Sequence, residues 1–494
     1  MKFLEKLESN ANYWFLVFIS LIFFLLRFPS LFEPNWYGDE GIYQTLGIGM
    51  NAGRLLYKGI FDNKPPLLYL LYSFVSSDQF AIRLLSLIFG LAALVTFFFL
   101  AKKIIDNKKA VFIATSFFAI LFGLPLIEGN IANAENFMLF PNILAGLLVL
   151  TSIEARSQKT KYWLQFFAGV VIAISFLFKI VAIFDFAAFF AFLFFANYSK
   201  RLIDIFKKNN LIKEAKNLLF ITAGFILPIL IVFIYFFLNG AAGDLLRATF
   251  FANIGYVGYG NKFIIPQGFL ILKLIILALF SLYLFYKRER FGNYFIFTAI
   301  WLGFSLFDAF FSQRPYTHYM LVLLPPLCLM IGLFATNKIF SRTAGVLSIL
   351  TAILVLLNFT FYVKTVFYYQ NFLSFVTGQK SVYNYRKFFD SNTPRDYSIA
   401  DYITDSSNSS DNIFIWGNNA QVYKLTNKLP PSKYTVAYHI TNYKDGVSDT
   451  KKGLETANPK FIIIMPNVSS YPFSLLKYSP KINLNGAQIY ERLY

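Results

Sequence analysis

The sequence predicts a mainly α, polytopic membrane protein of about eleven transmembrane helices, followed by a small extracytoplasmic α/β domain. Three observations carry this. Of the 494 residues, 57% are hydrophobic and only 14% charged, too little charge to cover the surface of a soluble protein of this length. Apolar runs long enough to cross a bilayer core recur along the first three quarters of the chain. Beyond residue 363 the composition turns to Lys, Asp, Asn, Ser and Tyr, which ends the membrane part at about 1–362 and leaves 363–494 as a separate domain.

The predicted spans lie near 12–29, 80–101, 110–127, 137–153, 162–178, 180–196, 218–238, 267–286, 293–311, 319–336 and 344–362. The first, in "MKFLEKLESNANYWFLVFISLIFFLLRF", has no small-residue cleavage site after it and reads as a helix that stays. One set of connections is basic: "KKIIDNKK", "EARSQKTK", "YSKRLIDIFKKNNLIKEAK" (198–216), "KRER" and "TNKIFSR". The positive-inside rule places that set in the cytoplasm. The loop 30–79, "EGNIANAEN", 239–266 and "SQRPYTHY" then lie outside. Both ends of the stretch 162–197 adjoin basic clusters, so it must cross twice, which puts its turn, near Lys179, at the outer surface. The N-terminus is cytoplasmic and the C-terminal domain extracytoplasmic on this count. The expected location is the cell (plasma or inner) membrane.

The net charge of +19 is accounted for by those clusters, so nucleic acid is not an expected partner; membrane lipids are. A single cysteine, Cys328, sits in an apolar run and excludes an intrachain disulfide. In the last domain, "NIFIWG" and "KFIIIMPN" read as buried strands and "DYSIADYITDSS" as a helix.

The outer loop "EPNWYGDEGIYQTLGIGMNAGRLLYKGIFDNKPPLLY" concentrates chemistry between two oily runs. Asp39 and Glu40 are adjacent at the head of a helical pattern, where the helix dipole favours carboxylates; either can also accept a proton from a nucleophile. Lys64 precedes two prolines, which restrict its backbone and place an ammonium near the membrane surface. Such a group suits a phosphate, although interfacial lysines also serve as anchors. Glu135 closes the next outer loop, with Glu128 not separable from it by spacing. Arg83, Lys179, Arg314 and His318 fall at outer ends of spans, against the usual cytoplasmic bias of basic residues. Tyr43 and Tyr316 stand beside these groups for acceptor contact or support. Arg27, Asp185 and Asp308 lie deep in apolar runs, where ionisable groups are generally paired or functional.

These motifs together resemble the GT-C glycosyltransferases, in the bacterial branch related to protein O-mannosyltransferases and lipid A aminoarabinose transferases (families 39 and 83). "YGDEGIY", "FDNKPPLLY", "NAENFMLFP", "FLFKIVAIFDF" and "RPYTHYMLVLLPP" carry the resemblance, in order, over residues 10–335. It implies a GT-C fold and transfer of a sugar, with inversion, from a polyprenyl-phosphate donor to a lipid, glycan or protein acceptor on the outer face. It also implies Asp39 as the leading catalytic carboxylate with Glu40 beside it. Glu135 would orient the acceptor or a metal. Lys64, Lys179, Arg314, His318 and Arg83 would hold the donor phosphate. Some relatives carry two carboxylates one residue apart, whereas Asp39 and Glu40 are adjacent; this leaves a divalent metal, on Asp39 and Glu135 if on any residues, an open expectation. A transporter or flippase of an amphipathic anion is the alternative from another class, without the internal repeats usual there. A non-catalytic subunit of a glycan-assembly complex is a third.

Overall fold

A computed structural model describes residues 2–196, 208–253, 270–311, 314 and 316–493. Parts of the expected connections 198–216 and 239–266, and the first residues of the span expected at 267–286, lie outside those residues. The chain divides into two compact units.

The first unit comprises 1–28, 85–238 and 251–365. Within the described residues all eleven apolar runs are helical. Among the described residues eight, including Gln79–Ile104, Ala134–Ile153, Gln158–Phe178 and Arg288–Phe311, are long and apolar enough to cross a membrane. Ile180–Ala196 and Ile271–Tyr286 are shorter apolar helices, as is Lys108–Gly123, whose N-terminus is capped by the Asn107 side chain. The protein is a multi-pass membrane protein. The stretch around Lys179 breaks where the sequence suggests: the helix Gln158–Phe178 ends with Lys179 extended, and Ile183–Ala196 starts after one 3-10 turn.

Within this unit two of the three deep ionisable groups, Arg27 and Asp185, are engaged by neighbours, whereas Asp308 is buried with its Oδ2 facing no hydrogen-bond partner among the described residues. Arg27 is fully buried, donates to Ser86 Oγ at 3.1 Å and lies over the rings of Phe23 and Phe122. Asp185 accepts from Asn142 Nδ2 at 2.9 Å and Trp301 Nε1 at 2.7 Å. Those bonds satisfy a carboxyl that a hydrocarbon environment would otherwise penalise heavily.

The second unit comprises 29–84, 239–250 and 366–494. Its four-stranded sheet has the order β1–β2–β4–β3, with β1 Ile413–Trp416, β2 Phe461–Ile464, β3 Tyr478–Leu484 and β4 Ala487–Arg492. β1 and β2, the two apolar runs expected as strands, pair in parallel, with Ile413 opposite Phe461. Strands buried on both faces read as continuous apolar runs, which is why they stand out. The expected helix is present as Thr393–Ser406. Its Ile399 and Ile403 pack with Ile413, Ile415, Phe461, Ile463 and Ile489 in a closed core. The C-terminal residues also build directly on the loop of 29–84. Phe61 N–H donates to the Lys433 carbonyl at 2.9 Å, Thr45 Oγ1 to that of Ala420 at 3.1 Å, and Arg54 to that of Pro430 at 2.9 Å.

Candidate active site

In the second unit the helix Gly38–Asn51 starts after an extended Tyr37, with Asp39 and Glu40 in its first turn. There they face the free N–H groups and the positive end of the dipole. Although adjacent, the two acids have different surroundings. Asp39 is 38% exposed at its side chain and meets the Lys64 ammonium at 3.3 Å. Tyr43, one turn on, donates its hydroxyl to Asp39 at 2.9 Å. Glu40 is buried and takes Arg83 Nη2 at 2.5 Å, while Arg83 Nη1 reaches Glu33 at 3.2 Å. Tyr368 and Trp36 complete the shell of Glu33 at 2.7 and 2.8 Å. Arg83 and both its carboxylates are at most 2% exposed, so the guanidinium fork is committed to a buried triad.

Lys64 is held along its whole length. The helix Pro66–Phe74 begins two residues later, with Pro65 as N-cap and Pro66 at its first position. Lys64 N–H donates to Tyr69 Oη at 3.0 Å, and its carbonyl accepts from Tyr57 Oη at 2.7 Å. Its ammonium lies 4.7 Å from the centre of the Tyr43 ring and 4.0 Å from Asp62. Tyr57 has a left-handed backbone, φ 69°. A bulky residue keeps that conformation only where its surroundings over-determine it. Burial pushes the hydroxyls of Tyr57 and Tyr69 well above the usual tyrosine range, with Asp62 adding to the effect. They therefore stay protonated donors.

The C-terminal residues enter here. His439 Nε2 lies 3.6 Å from Asp62 Oδ1. Burial pushes His439 down to about 4, against the pull of Asp62, so the ring is neutral at neutral pH. Phe61 packs edge-on against Tyr434, His439 and Tyr443. Gly41, two residues after Asp39, lies so near Gln421 that a Cβ there would stand 2.6 Å from its backbone nitrogen.

In the first unit a second cluster forms at helix ends. Glu135 is the second residue of Ala134–Ile153 and pairs with Lys179. His318 Nδ1 meets Glu128 at 2.8 Å, and its Nε2 lies 3.8 Å from Glu135. This separates the two acids of that loop: Glu135 takes the lysine, Glu128 the histidine. Lys179 also lies 4.2 Å from the Tyr319 ring centre. Tyr316 stacks on His318 and accepts from Arg314 Nη1 at 3.3 Å.

The structure thus groups Asp39, Tyr43 and Lys64 in one unit and Glu135, Lys179, His318, Tyr316 and Arg314 in the other. Glu33, Asp62, Tyr57, Tyr69 and His439 were not singled out from sequence. A usable signal existed for two of them: Asp62 sits within the "FDNKPP" motif, and His439 is one of only two histidines. Asp39 and Glu135 each face a lysine, and among the described residues no three His, Cys, Asp or Glu side chains gather to hold a metal.

Residues 63–212 match the family model described as dolichyl-phosphate-mannose-protein mannosyltransferase. Lys64, Arg83, Glu135 and Lys179 fall inside that segment. Among curated protein sequences none matches this chain. The fold is similar to that of ArnT from Cupriavidus metallidurans bound to undecaprenyl phosphate, at 13% identity over 96% of this chain and 97% of that one, with a TM-score of 0.55. It is also similar to the archaeal oligosaccharyltransferase AglB from Archaeoglobus fulgidus in complex with an inhibitory peptide and a dolichol-phosphate. There the identity is 12% over 93% of this chain and 70% of that one, with a TM-score of 0.51. The resemblance to GT-C glycosyltransferases seen in the motifs is borne out by the matched segment and by the fold.

Proposed function

We propose that this protein is an integral membrane glycosyltransferase that moves a sugar from a polyprenyl-phosphate donor to a hydroxyl-bearing lipid, glycan or protein acceptor, with inversion. The carrying observation is the Asp39–Lys64 pair: a partly exposed carboxylate and a rigidly held ammonium 3.3 Å apart. The family matched over 63–212 is described by a lipid-phosphate-linked sugar, and both similar structures hold a polyprenyl phosphate.

In this reaction the acceptor oxygen forms a bond to the anomeric carbon as the bond from that carbon to the phosphate oxygen breaks. Asp39 accepts the acceptor's proton, which raises the nucleophilicity of its oxygen. Negative charge grows on the departing phosphate, and fixed cations stabilise it without reorganising. Lys64, beside Asp39, serves this role in the second unit; in the first unit Lys179, His318 and Arg314 form a cationic cluster of their own that suits a phosphate. Glu135 orients Lys179 and His318 through the contacts above. Arg83 and Glu40, buried on each other, support the helix that carries Asp39 rather than touch substrate. The distribution of Lys and Arg supports a cytoplasmic N-terminus and an extracytoplasmic 363–494.

The test is transfer of label by the purified chain in liposomes from a panel of undecaprenyl-phosphate-linked sugars. Label must appear in glycosidic linkage. Movement of lipid-linked sugar across the bilayer with no bond formed, for any of the panel, contradicts the proposal and favours a flippase.

A further inference from the structure

Within the second unit, Lys64 stands between two carboxylates of unlike character. Asp39 is 38% exposed and can exchange its partner for a substrate group. Asp62 is 2% exposed, 4.0 Å from the ammonium on another side, and held by Tyr69 Oη at 2.7 Å. Its backbone neighbour Phe61 is fixed to the chain's C-terminal part twice, by the Lys433 carbonyl and by the rings of Tyr434, His439 and Tyr443. His439 Nε2 lies 3.6 Å from the other oxygen, Asp62 Oδ1.

We propose that residues 433–443 are part of the donor-phosphate machinery: they grip Asp62 as the permanent counter-ion of Lys64, with His439 as its positioning residue. The proposal rests on the assignment of Lys64 to the donor phosphate. A lysine with one permanent and one exchangeable partner keeps its place when Asp39 lets go to take a proton. A cationic histidine would neutralise Asp62; burial keeps His439 neutral, so the full charge of Asp62 stays on Lys64. The C-terminal domain therefore has a task in the reaction apart from binding any partner.

The test reads Lys64 directly, by its acetylation rate with acetic anhydride in the full-length chain, quantified by mass spectrometry. Asp62→Asn keeps shape and the Tyr69 bond but removes the charge. Lys64 acetylation is expected to rise about tenfold, as for one lost counter-charge at this range. His439→Phe keeps the aromatic packing and removes Nε2; His439→Gln loses the ring and keeps a donor in its place. Acetylation is expected to rise about two- to threefold in H439F, a fraction of the full counter-charge effect, and to return toward wild type in H439Q. If His439 only fills space, the order reverses, with H439F like wild type and H439Q worse; that result overturns the proposal. So does an unchanged Lys64 rate in D62N. A separate arm adds undecaprenyl phosphate to wild type. Protection of Lys64 supports the underlying assignment, and no protection at saturating lipid overturns that assignment while leaving the variant series to judge the Asp62 and His439 contacts.

Discussion

Lys64 Nζ lies 3.3 Å from Asp39 Oδ2, joining the proline-flanked lysine of "FDNKPP" to the first acid of "YGDEG" across 25 residues of sequence. A base paired with a cation is poor at taking protons until the cation is drawn elsewhere. Under the proposed assignment donor phosphate competes for Lys64, so donor binding would free Asp39. That assignment predicts an order: donor first, then proton removal from the acceptor. Initial-rate kinetics with both substrates varied, plus dead-end inhibition by an acceptor analogue, should show compulsory order with donor leading.

Arg83 separates support from phosphate binding. Its fork bridges Glu33 and Glu40 in a fully buried triad. Arg83→Lys keeps the charge but cannot serve both carboxylates, and should cost about 1–3 kcal/mol of stability. The melting temperature in detergent should fall while donor KM of the folded fraction stays within about twofold, far short of the roughly tenfold expected for a lost charge-assisted contact to phosphate. A large rise in donor KM with an unchanged melting temperature would return Arg83 to the phosphate site.

Glu135 and Lys179 form a pair in which the carboxylate is the more buried partner, 2% exposed against 14%. Lys179→Ala strands that carboxylate and should destabilise by about 3–5 kcal/mol. Adding Glu135→Gln should recover most of the stability, a strongly non-additive cycle. Donor KM should remain raised in the double variant, because the cation proposed to hold phosphate in this cluster is still missing. Melting temperatures and donor titrations of the four proteins check both statements.

His439 makes a pH prediction. Its folded-state pKa is about 4, below the ordinary histidine value of 6.5, because it is buried. The unfolded chain therefore binds a proton more readily than the folded one between those values. Stability from this group is complete above about pH 6.5 and falls by about 1.4 kcal/mol per unit as pH drops toward 4. His439→Gln should flatten the acid side of melting temperature against pH across that window. An identical slope would mean that His439 is already charged or exposed.

The membrane helices were legible because twenty-residue apolar runs have few alternatives, and β1 and β2 because Ile413 to Trp416 and Phe461 to Ile464 are unbroken apolar stretches. The hairpin of β3 and β4 was missed, although Asn485 and Gly486, with φ of 48° and 89°, are the residue pair that favours such a turn. Asp39, Lys64, Glu135 and Lys179 stood out because charge beside an apolar run is costly. What paired with what was hidden. Glu40 finds Arg83 at 43 residues' distance and His318 finds Glu128 at 190. No local rule distinguishes adjacent Asp39 and Glu40. Their separation into a partly exposed carboxylate and a buried one comes from helix geometry: successive residues point about 100° apart, one toward Lys64 and one toward Arg83. Asp62 and His439 escaped for the same reason, being meaningful only to each other and to Lys64.

The most direct measurement of the central claim is steady-state transfer by Asp39→Asn and Lys64→Ala, each varied in donor and compared with wild type. D39N should lose about 10²–10⁴ in kcat, the usual range for a positioned base, with donor KM unchanged or lowered because the carboxylate that competes for Lys64 has lost its charge. K64A should lose about 10²-fold or more in kcat/KM for the donor. Full transfer activity in both variants, at wild-type folding and expression, would contradict the claim.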